Sequence, residues 1–479
     1  MPHAVTQSCV GDGSCVYACP VNCIQPTPDD PAFDLAEMLF IDPATCVDCG
    51  ACVSACPVDA IKPHHELEAG EKAFLQLNAA YHQVPRNRPT LAPVRPRLRV
   101  RDFGIPLDVA IVGSGPAAMY AAEELLTIPG ARVTVYERLE RPNGLVRSGV
   151  APDHRRTRRV SGQLERIRRH PRLAMRLGVE IGADLTHDDL LVQHHAVIYA
   201  VGASTDRRLE IPGAELPGVA SATSFVGWYN GHPDHAGHAF DLSQRRVAVI
   251  GNGNVALDVA RMLTVDPETL VDSEIAPPAL AALRSSAVEE VSIIGRRGAE
   301  FSSFTLPELI GLTTTSNLNV VVDPAELPMD AAADDAKLAL LRSLPSEPGP
   351  TGRTIRLRYG LAPQRILGAD RAEGLELAAT DDGGSTTIEA GLVLTAIGYR
   401  GLPVPALPYD ASRGTVPNDA GRVTGDDGAP MPGTYVAGWI KRGPTGFIGT
   451  NKRCAQDTVA ELVEDHNAGR LSTARAAVT

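Results

Sequence analysis

The sequence lacks the features of membrane-spanning, exported and nucleic-acid-binding proteins. No apolar run reaches the roughly 20 residues that a membrane-spanning helix needs. The N-terminus, MPHAVTQSC, has no basic start followed by an apolar core, so we expect no signal peptide and a cytoplasmic location. Basic residues are fewer than acidic ones, 45 against 57, and the net charge of −12 argues against a general nucleic-acid binder.

Cysteine is almost missing beyond the first 56 residues, which hold eight of the nine cysteines; the ninth is Cys454. Without an export signal we expect reduced thiols, so these cysteines are better candidates for metal ligands than for disulfides. The same segment is acidic, with eight Asp or Glu against one Lys in residues 1–62. The length of 479 residues is enough for two to four domains.

Two stretches of the cysteine-rich segment, CVGDGSCVYACP (9–20) and CVDCGACVSACP (46–57), align without gaps. The C-x2-C-x2-C-x3-C-P spacing of the second copy is the bacterial ferredoxin run, whose fourth cysteine binds the other of two clusters. A disulfide module or a pair of zinc sites is the alternative, but the repeat, both prolines and the crossed spacing favour iron–sulfur clusters. The predicted ligand sets are Cys46, Cys49, Cys52 with Cys19, and Cys9, Cys15 with Cys56.

Asp12 stands in the first copy where the second copy has Cys49. A carboxylate is a hard ligand among soft thiolates, which suit iron–sulfide cores better. Asp12 either ligates a fourth iron weakly in a labile [4Fe–4S] cluster, or that iron is absent and the cluster is [3Fe–4S]. We favour the three-iron cluster. Cys23 has no counterpart in the repeat, and we interpret it as a small buried hydrophobic residue.

The segment from Leu107, LDVAIVGSGPAAMYAAEELL, predicts an apolar strand, a glycine-rich turn and a helix. Gly113 permits the tight turn, Gly115 lets the backbone approach a pyrophosphate, and Ala118 allows close helix packing. The next strand, ARVTVYE, ends in Glu137, at about the distance expected for a carboxylate on a ribose hydroxyl. This context predicts a dinucleotide fold.

A second segment of the same kind, RRVAVIGNGNVALDVARML, begins at Arg245, with Gly251, Gly253 and Ala256 at the corresponding positions. The next strand, VSIIGRRG (291–298), comes late, which predicts an insertion before it. It ends in Arg296 and Arg297 instead of an acid, and guanidinium groups suit a 2′-phosphate. This site should therefore prefer NADPH to NADH.

Two apolar segments near the C-terminus, GLVLTAIGY (391–399) and TYVAGWIKRGPTGFIGTNKRCAQDTVAELV, are expected to complete the first fold with a strand, a turn and a helix. The predicted fold class is α/β, with two Rossmann-like domains, the second inserted in the first, plus a small α+β ferredoxin-like N-terminal domain. The predicted domains are 1–62 (two-cluster ferredoxin), 63–105 (Pro/Arg-rich linker, partly an extended tether), 106–204 (FAD, first part), 205–398 (NADP) and 399–479 (FAD, second part).

The chain beyond residue 106 resembles the adrenodoxin reductase family of ferredoxin–NADP reductases, and the whole chain resembles its bacterial subtype with a fused ferredoxin. The resemblance rests on GLVRSGVAPDH (144–154), IPG with FVGWYN (225–230), GNGNVALDVAR (251–261), GRRG (295–298) and GWIKRGPTGFIGT (438–450). It covers most of 106–310 and 391–465. The stretch AEFSSFTLPELIG after GRRG departs from the family pattern, which weakens Glu308 as an assignment, and 325–385 matches little.

The resemblance implies contacts for both nucleotides. For FAD they fall on Ala117, Glu137, Leu145, Ile181, Trp439, Gly446, Phe447 and Ile448. For NADP(H) they fall on Arg207, Asn252, Gly253, Asn254, Val255, Arg296, Arg297, Glu308 and Gly446.

These parts imply an NADPH-dependent ferredoxin reductase, in which a hydride passes from NADPH to FAD and single electrons pass to iron–sulfur clusters of the fused or an external ferredoxin. His154 in the APDH turn is a candidate proton relay, with Asp153 beside it and Asp258 close enough to share a water. A purely structural His154 is the alternative. The Arg-rich segment 151–172 either receives an acidic ferredoxin or is a solvated helix face.

Two other functions compete with this one. The first is an electron-input subunit, like the small subunit of glutamate synthase, that feeds a separate catalytic partner. The second is a non-catalytic electron carrier or redox sensor, against which the intact motifs at both nucleotide sites argue. The final acceptor could be an external ferredoxin that serves, for example, a cytochrome P450 system.

Overall fold

The computed structural model describes residues 2–84, 89, 91–101, 106–328, 335–381 and 383–471. Parts of the predicted linker (85–88, 90 and 102–105), of the predicted NADP domain (329–334 and 382) and of the predicted C-terminal segment (472–479) lie outside the described residues. None of the helices in the described ranges is both long and apolar enough to cross a membrane. Short 3₁₀ turns lie at His64–Glu66, Ala69–Glu71, Pro233–His235, Pro267–Leu270, Ala299–Phe301 and Pro324–Glu326.

The N-terminal module consists of short helices and strands, and its two sequence copies fold alike. Its elements are β1 (His3–Val5), α1 (Ser14–Ala18), β2 (Ile24–Gln25), β3 (Phe40–Ile41), α2 (Ala51–Ala55), β4 (Ile61–Pro63) and α3 (Ala73–Tyr81). β1 pairs with β4 and β2 with β3, both antiparallel. Gly13 and Gly50 precede α1 and α2 with φ of 73° and 72°, a left-handed conformation that suits glycine, and Cys19 and Cys56 end these helices.

Helix α3 lies inside the predicted linker but belongs to the module. Phe74 is buried, and so is Asn78. The Oδ1 atom of Asn78 accepts hydrogen bonds from the N–H groups of Val5 and Ile41, at 3.1 and 2.8 Å, so it joins α3 to β1 and β3. The linker prediction is wrong for this helix. The Pro- and Arg-rich composition on which that prediction rested begins only after the helix, at Val84.

The first nucleotide fold begins with parallel strands. Its first elements are β5 (Asp108–Val112), α4 (Pro116–Leu126), β6 (Arg132–Glu137), α5 (Leu145–Ser148), α6 (Arg155–Arg158), α7 (Val160–Arg168), β7 (Leu173–Leu177), α8 (His187–Gln193) and β8 (Ala196–Tyr199). β5 pairs in parallel with β6 and β8, and β6 pairs with β7. β8 is buried along its whole length, as expected for a central strand with both faces covered.

The second nucleotide fold follows in the chain. Its elements are β9 (Thr205–Asp206), β10 (Val219–Ser221), α9 (Ala222–Tyr229), β11 (Arg246–Ile250), α10 (Asn254–Thr264), α11 (Pro277–Arg284), β12 (Glu290–Ile294), α12 (Leu306–Thr313), β13 (Leu318–Val322), α13 (Ala336–Ser343), β14 (Arg353–Arg358), β15 (Leu361–Leu367), β16 (Gly374–Ala379), β17 (Ser385–Glu389), β18 (Leu392–Thr395) and β19 (Tyr399–Arg400). Its parallel sheet has the order β10-β18-β11-β12-β14-β13, and β15, β16 and β17 form an antiparallel sheet. Helix α11 lies in the insertion that we predicted between α10 and β12.

The last part of the chain returns to the first sheet. Its elements are β20 (Asn418–Asp419), β21 (Arg422–Thr424), β22 (Pro430–Val436), α14 (Trp439–Arg442) and α15 (Thr450–Asn467). β22 pairs in parallel with β8, so the described strands of this sheet have the order β20-β21-β22-β8-β5-β6-β7. β18, which we expected to complete the first fold, lies instead between β10 and β11 of the second sheet. An apolar run predicts a buried strand but carries no information about its neighbours.

The chain passes between the two folds at β9 and β19, which pair with each other antiparallel. The two crossings therefore lie side by side, as an inserted fold requires. The domain boundaries near these crossings remain predictions.

The N-terminal module packs against both nucleotide folds. Val10, Val58 and Ala60 join the buried core of the first fold, and Leu306 and Ile310 of α12 join the core of the module. Ion pairs surround these apolar contacts: Arg156–Glu71 at 2.7 Å, Lys337–Glu37 and Arg453–Asp34 at 3.3 Å, Lys452–Asp12 at 3.8 Å, and Arg159–Asp59.

Candidate functional site

The turn between β5 and α4 brings the backbone close to a ligand position. Gly113 has a φ of 100°, and a Cβ atom there would lie 2.6 Å from the carbonyl oxygen of Ala200, so only glycine fits. At Gly115 the Cβ position has no atom of the described residues within 4 Å, which leaves open space beside the helix N-terminus. No side chain in the described part of the chain caps α4, so its first N–H groups are available to a phosphate.

Glu137 stands at the end of β6 next to this turn. Its Oε2 atom accepts a hydrogen bond of 2.5 Å from Ser114 Oγ, and its Oε1 atom accepts one of 2.9 Å from the N–H of Leu139. These bonds fix the carboxylate at the strand end where a ribose hydroxyl is expected.

The predicted FAD contacts outside the turn are placed as follows. A Cβ atom at Gly438 would lie 2.6 Å from the Cβ of Ala117, so the chain that leads into Trp439 touches the start of α4. Ala118 is fully buried in the first-fold core, and Ile448 packs against that core. Gly144, just before Leu145, has its Cβ position 3.1 Å from the Cα of Gly115.

Three further contacts predicted for FAD also have defined surroundings. Gly446 has a φ of 78°, and the N–H of Phe447 donates a hydrogen bond of 3.0 Å to Thr450 Oγ1 at the start of α15. Ile181 lies on the other face of the first sheet, against the cluster that contains Tyr136. The structure therefore brings Gly438 into contact with the start of α4, whereas Ile181 lies on the other face of the first sheet.

The turn between β11 and α10 has the same design. Gly251 has a φ of 117°, and a Cβ atom there would overlap the carbonyl oxygen of Ala396. Gly253 precedes α10, which has no side-chain cap within the described residues. The Oδ1 atom of Asn254 accepts a hydrogen bond of 2.8 Å from Thr305, and the carbonyl oxygen of Asn252 accepts one of 2.9 Å from Phe304.

Three basic side chains predicted to contact NADP(H) are exposed. Arg296 and Arg297 lie just beyond the carboxyl end of β12, after Gly295. The guanidinium carbon of Arg297 lies 5.1 Å from the centre of the Phe301 ring. Arg207 is also exposed, and its N–H donates to the carbonyl oxygen of Gly398 at 3.1 Å. Val255 is partly buried against the core of this fold.

His154 lies between two carboxylates. Its Nε2 atom is 3.9 Å from Oδ1 of Asp258 and 3.7 Å from Oε2 of Glu308. Both separations are too long for direct hydrogen bonds. Glu308, predicted as a nucleotide contact, is thus a neighbour of the candidate proton relay.

Arg261 organises the acids of this pocket. Its Nε atom donates to Asp153 at 2.6 Å and its Nη2 atom donates to Asp258 at 2.7 Å. Burial alone would raise the pKa of Asp153, but the charge of Arg261 outweighs it and holds that pKa well below its ordinary value. Asp153 therefore stays ionised.

One cavity of the module is lined by all four cysteines of the first predicted ligand set, which we name the outer set: Cys19, Cys46, Cys49 and Cys52. Cys49 is exposed, so this set lies at the protein surface. Burial, with the charges of Cys46 and Cys19, raises the pKa of Cys52 to about 12. Cys23 lines the same cavity, with its Sγ atom 3.4 Å from that of Cys19.

The other predicted ligands form the inner set, Cys9, Cys15, Cys56 and Asp12. Burial, with the nearby charges of Cys56 and Asp12, raises the pKa of Cys9 to about 12. Asp12 is 9% exposed, accepts a hydrogen bond from Ser14 Oγ and lies 3.8 Å from Lys452 Nζ. Cys9 and Cys56 pack against the core of the first nucleotide fold. Burial and the charges of neighbouring thiolates disfavour the ionised form of these cysteines. A positively charged iron core would offset this effect, so both sets fit such a core.

Several residues of this region escaped the sequence reasoning. Gln7 and Ser8 line a pocket with His154 and Glu308. Gln7 and Glu308 are 301 positions apart in the chain, so no local pattern connects them. Arg261 did carry a signal, because it follows Asp258 by three residues on the same helix face.

The Arg-rich segment 151–172 has mixed roles. Arg156 and Arg159 pair with acids of the module. Arg158 is buried and bonded to Glu274, and Arg172 donates to backbone carbonyl oxygens. Within the described residues, this segment contacts the fused module through part of its arginines, while others stabilise the fold.

Comparisons with known proteins agree with this geometry. A model of the 4Fe-4S dicluster domain matches residues 8–60, and a model of the pyridine nucleotide-disulphide oxidoreductases matches residues 107–303. A probable ferredoxin/ferredoxin–NADP reductase of Mycobacterium tuberculosis is 53% identical over 98% of this chain and 85% of its own length. A protein of the same name from Mycobacterium leprae is 54% identical over 98% of this chain and 88% of its own.

This chain belongs to the ferredoxin/ferredoxin–NADP reductases. The solved structure of Mycobacterium tuberculosis FprA in complex with NADPH is similar as well, with a TM-score of 0.72 and 42% identity over 77% of this chain and 87% of that one. These matches confirm the predicted family, the fold class and the assignment as an oxidoreductase. The family and the dicluster domain support FAD, NADP and 4Fe–4S clusters as the cofactors of this reductase.

Proposed function

We propose that this reductase takes electrons from NADPH and delivers them to a ferredoxin-type acceptor through its own N-terminal module. One observation carries the proposal: the inner set packs against the first nucleotide fold, whereas the outer set reaches the surface at Cys49. When bound, FAD accepts a hydride and releases electrons singly, as iron–sulfur clusters require. The alternative of an electron-input subunit is not favoured, because near full-length relatives carry the reductase name.

The second fold binds the nicotinamide nucleotide in this proposal. The uncapped N-terminus of α10, preceded by Asn252 and Gly253, receives the pyrophosphate through backbone N–H groups and the helix dipole. Arg296 and Arg297 recognise the 2′-phosphate, which NADPH has and NADH lacks. Their exposure in the described structure supports this role, since neither guanidinium group is buried by the fold.

The first fold binds FAD through the turn at Gly113 and Gly115, with Glu137 on the ribose. The segment 438–448, which lies against α4, contributes the remaining contacts together with Leu145. His154 is proposed to hold or move a proton beside Asp258, while Arg261 pairs with both Asp153 and Asp258 and holds them in place.

The outer set is proposed to hold a [4Fe–4S] cluster and the inner set a [3Fe–4S] cluster. Asp12 supports the second assignment, because its carboxylate already accepts a hydrogen bond from Ser14 and faces Lys452. A carboxylate with partners of its own gains less from binding iron. A [4Fe–4S] cluster with Asp12 as ligand is the alternative.

The external acceptor is proposed to dock at the outer set and to be a ferredoxin, which then serves a system such as a cytochrome P450. The cytoplasmic location stays the prediction made above.

Reduction of the purified holoprotein by NADPH without air tests the function. We expect the flavin absorbance to bleach first, and the EPR signals of reduced clusters to follow, with NADH much less effective. The variant Arg296→Ala/Arg297→Ala should lose the preference for NADPH by about tenfold to 100-fold, as loss of hydrogen bonds to a charged group predicts. A preparation without iron or flavin, or one that uses NADH equally well, would contradict the proposal.

A further inference from the structure

Gln7 extends from the ferredoxin module into the pocket of His154. Its Nε2 atom donates a hydrogen bond of 2.7 Å to Oε2 of Glu308. The backbone just before it is fixed, because the N–H and Oγ1 of Thr6 both donate to the carbonyl oxygen of Ala60, at 2.8 and 2.9 Å. Gln7 is thus held rigidly by the module while its amide contacts a residue of the second nucleotide fold.

Helix α12 has a glycine at the position where this amide enters. Gly311 follows Glu308 by three residues, and a Cβ atom at Gly311 would overlap the side-chain amide of Gln7. Glycine is a poor helix former, so its use in the middle of α12 calls for a reason in the packing. Room for Gln7 is such a reason.

The two carboxylates beside His154 each have their own hydrogen-bond donor. Arg261 holds Asp258 from the same helix, at 2.7 Å, and Gln7 holds Glu308 from the module, also at 2.7 Å. Without Gln7, the described residues provide Glu308 Oε2 with no other donor within hydrogen-bond distance. The titratable and charged groups around His154 are Asp153, Arg155, Arg156, Asp258, Arg261 and Glu308, and Tyr229 and Tyr399 face Asp258.

We propose that Gln7 is a positioning residue that holds the Glu308 carboxylate beside His154, so that the fused ferredoxin module completes the proton site of the reductase. The inference rests on the proposed function, since it assigns a proton role to His154. It goes beyond that function by making the NADPH half-reaction depend on a residue outside both nucleotide folds.

Two variants test the proposal. Gln7→Ala removes the donor, and Gly311→Ala fills its space while favouring the helix. We expect each variant to slow flavin reduction by saturating NADPH about tenfold, with little change in KM, because one hydrogen bond to a charged group is lost. The double variant should be no slower than either single variant, since both remove the same contact.

The second readout is equilibrium binding of NADP⁺ as a function of pH. A released Glu308 carboxylate changes the charge distribution in the pocket that Gln7, His154 and Glu308 line. We expect the pH profile of NADP⁺ binding to differ from that of the wild type, and in the same way, in both variants.

Glu37→Ala is the matched control. Glu37 Oε2 accepts a hydrogen bond of 2.7 Å from the N–H of Leu306, so it also joins the module to α12 but does not reach Glu308. This variant should keep the wild-type rate and pH dependence, and all variants should keep their iron content.

The outcomes separate the two proposals. If the wild-type protein is not reduced by NADPH, the proposed function is wrong. If the wild type is reduced and Gln7→Ala and Gly311→Ala match it in rate and pH dependence, only the role of Gln7 is wrong. If Glu37→Ala causes the same changes, the effect comes from module docking in general and the positioning role is again overturned.

Discussion

The two copies of the cysteine repeat share a local fold but differ in their surroundings. In both copies a five-residue helix follows a left-handed glycine and ends at a cysteine. Asp12 of the first copy is buried and faces Lys452 of the first nucleotide fold, whereas the aligned Cys49 of the second copy is exposed. One loop design therefore serves both the inward and the outward end of the module.

In the proposed function, this difference would let a nearly symmetric repeat carry electrons in one direction. Docking, and not the loops themselves, decides which cysteine set lies against the first nucleotide fold. The N–H of Gly449 donates to the carbonyl oxygen of Val10 at 2.7 Å, and glycine is needed there because a side chain would overlap Gly11. In the second copy Cys49 is exposed, whereas Cys52 is buried and Cys56 packs against the core of the first nucleotide fold.

The largest expected effect comes from removing one ligand of either set. Cys52→Ser should lose about half of the iron, because one of two clusters is lost. It should still show NADPH-driven reduction of the inner cluster by EPR but no reduction of an external ferredoxin. Cys15→Ser should lose the inner cluster, and with it NADPH-driven reduction of the outer one.

Cys23→Ser is the control for both variants and should keep the full iron content, since Cys23 is not a predicted ligand. If Cys52→Ser reduced external ferredoxin at the wild-type rate, the outer set would not be the place where electrons leave the module.

Asp12→Cys makes the first copy match the second. We expect about one additional iron per chain and loss of the EPR signal of an oxidised three-iron cluster. Iron analysis and EPR of the protein as isolated measure both changes. A wild-type protein that already contains two four-iron clusters would identify Asp12 as a ligand instead.

Lys452→Gln removes a positive charge that faces Asp12 of the inner set. The midpoint potential of the inner cluster should become more negative by roughly 40 mV, which corresponds to about 1 kcal/mol for one electron. The reason is that the reduced cluster loses a favourable interaction with the lysine charge. A redox titration followed by EPR measures the shift. Arg453→Gln is the control, since Arg453 pairs with Asp34 at 3.3 Å. Equal shifts in both variants would argue against a local effect.

Salt should distinguish the external contact of the outer set from the internal contacts of the inner set. We expect higher ionic strength to change the rate of reduction of an external ferredoxin several-fold, because exposed charges are screened. Flavin reduction and internal transfer should change little, since buried apolar side chains and a backbone hydrogen bond hold the module in place. Stopped-flow measurements of each step provide the test, and an equal response of all steps would contradict it.

The smallest expected effect is a loss of stability at low pH, where the carboxylate of Glu71 becomes protonated. Glu71 binds Lys62 at 2.6 Å and Arg156 at 2.7 Å. Burial would raise the pKa of Glu71, but hydrogen bonds from Lys62, Glu68 and Arg156 outweigh it and hold the pKa below its ordinary value of 4.5. Its contribution to stability is therefore complete above about pH 4.5 and is lost as the pH falls through the lowered pKa.

The variant Glu71→Gln measures this contribution. At pH 7 it should be less stable than the wild type by about 1 kcal/mol, as a partly exposed ion pair allows. The difference in melting temperature should shrink below pH 4.5. A difference that stays constant with pH would show that the carboxylate charge of Glu71 is not involved.

Much of the fold could be read from local patterns. The glycine-rich turns at Gly113 and Gly251 occur where predicted, because their left-handed conformations leave a clear mark in the sequence. The place of β18 and the membership of α3 could not be read in the same way. Both depend on which distant strands and helices they pack against, as Asn78 shows by bonding to β1 and β3.

The candidate site, too, could be predicted from the sequence only in part. The cysteine spacing predicted two crossed ligand sets, and the four members of the outer set do line one cavity. The assembly around His154 was predicted only in part. Asp258 follows from the helix, but the approach of Glu308 and Gln7 depends on how α12 and the module dock.

By itself, the sequence determined the cysteine repeat and both glycine-rich turns, and it predicted the preference for a 2′-phosphate, because each of these depends on residues close together in the chain. Only the tertiary structure decided which cysteine set lies inward, that Lys452 faces Asp12, and that Gln7 reaches Glu308. The physical reason is that these features arise from contacts between surfaces distant in sequence. Such surfaces are chosen by the joint burial of apolar side chains and pairing of charges, which no local pattern records.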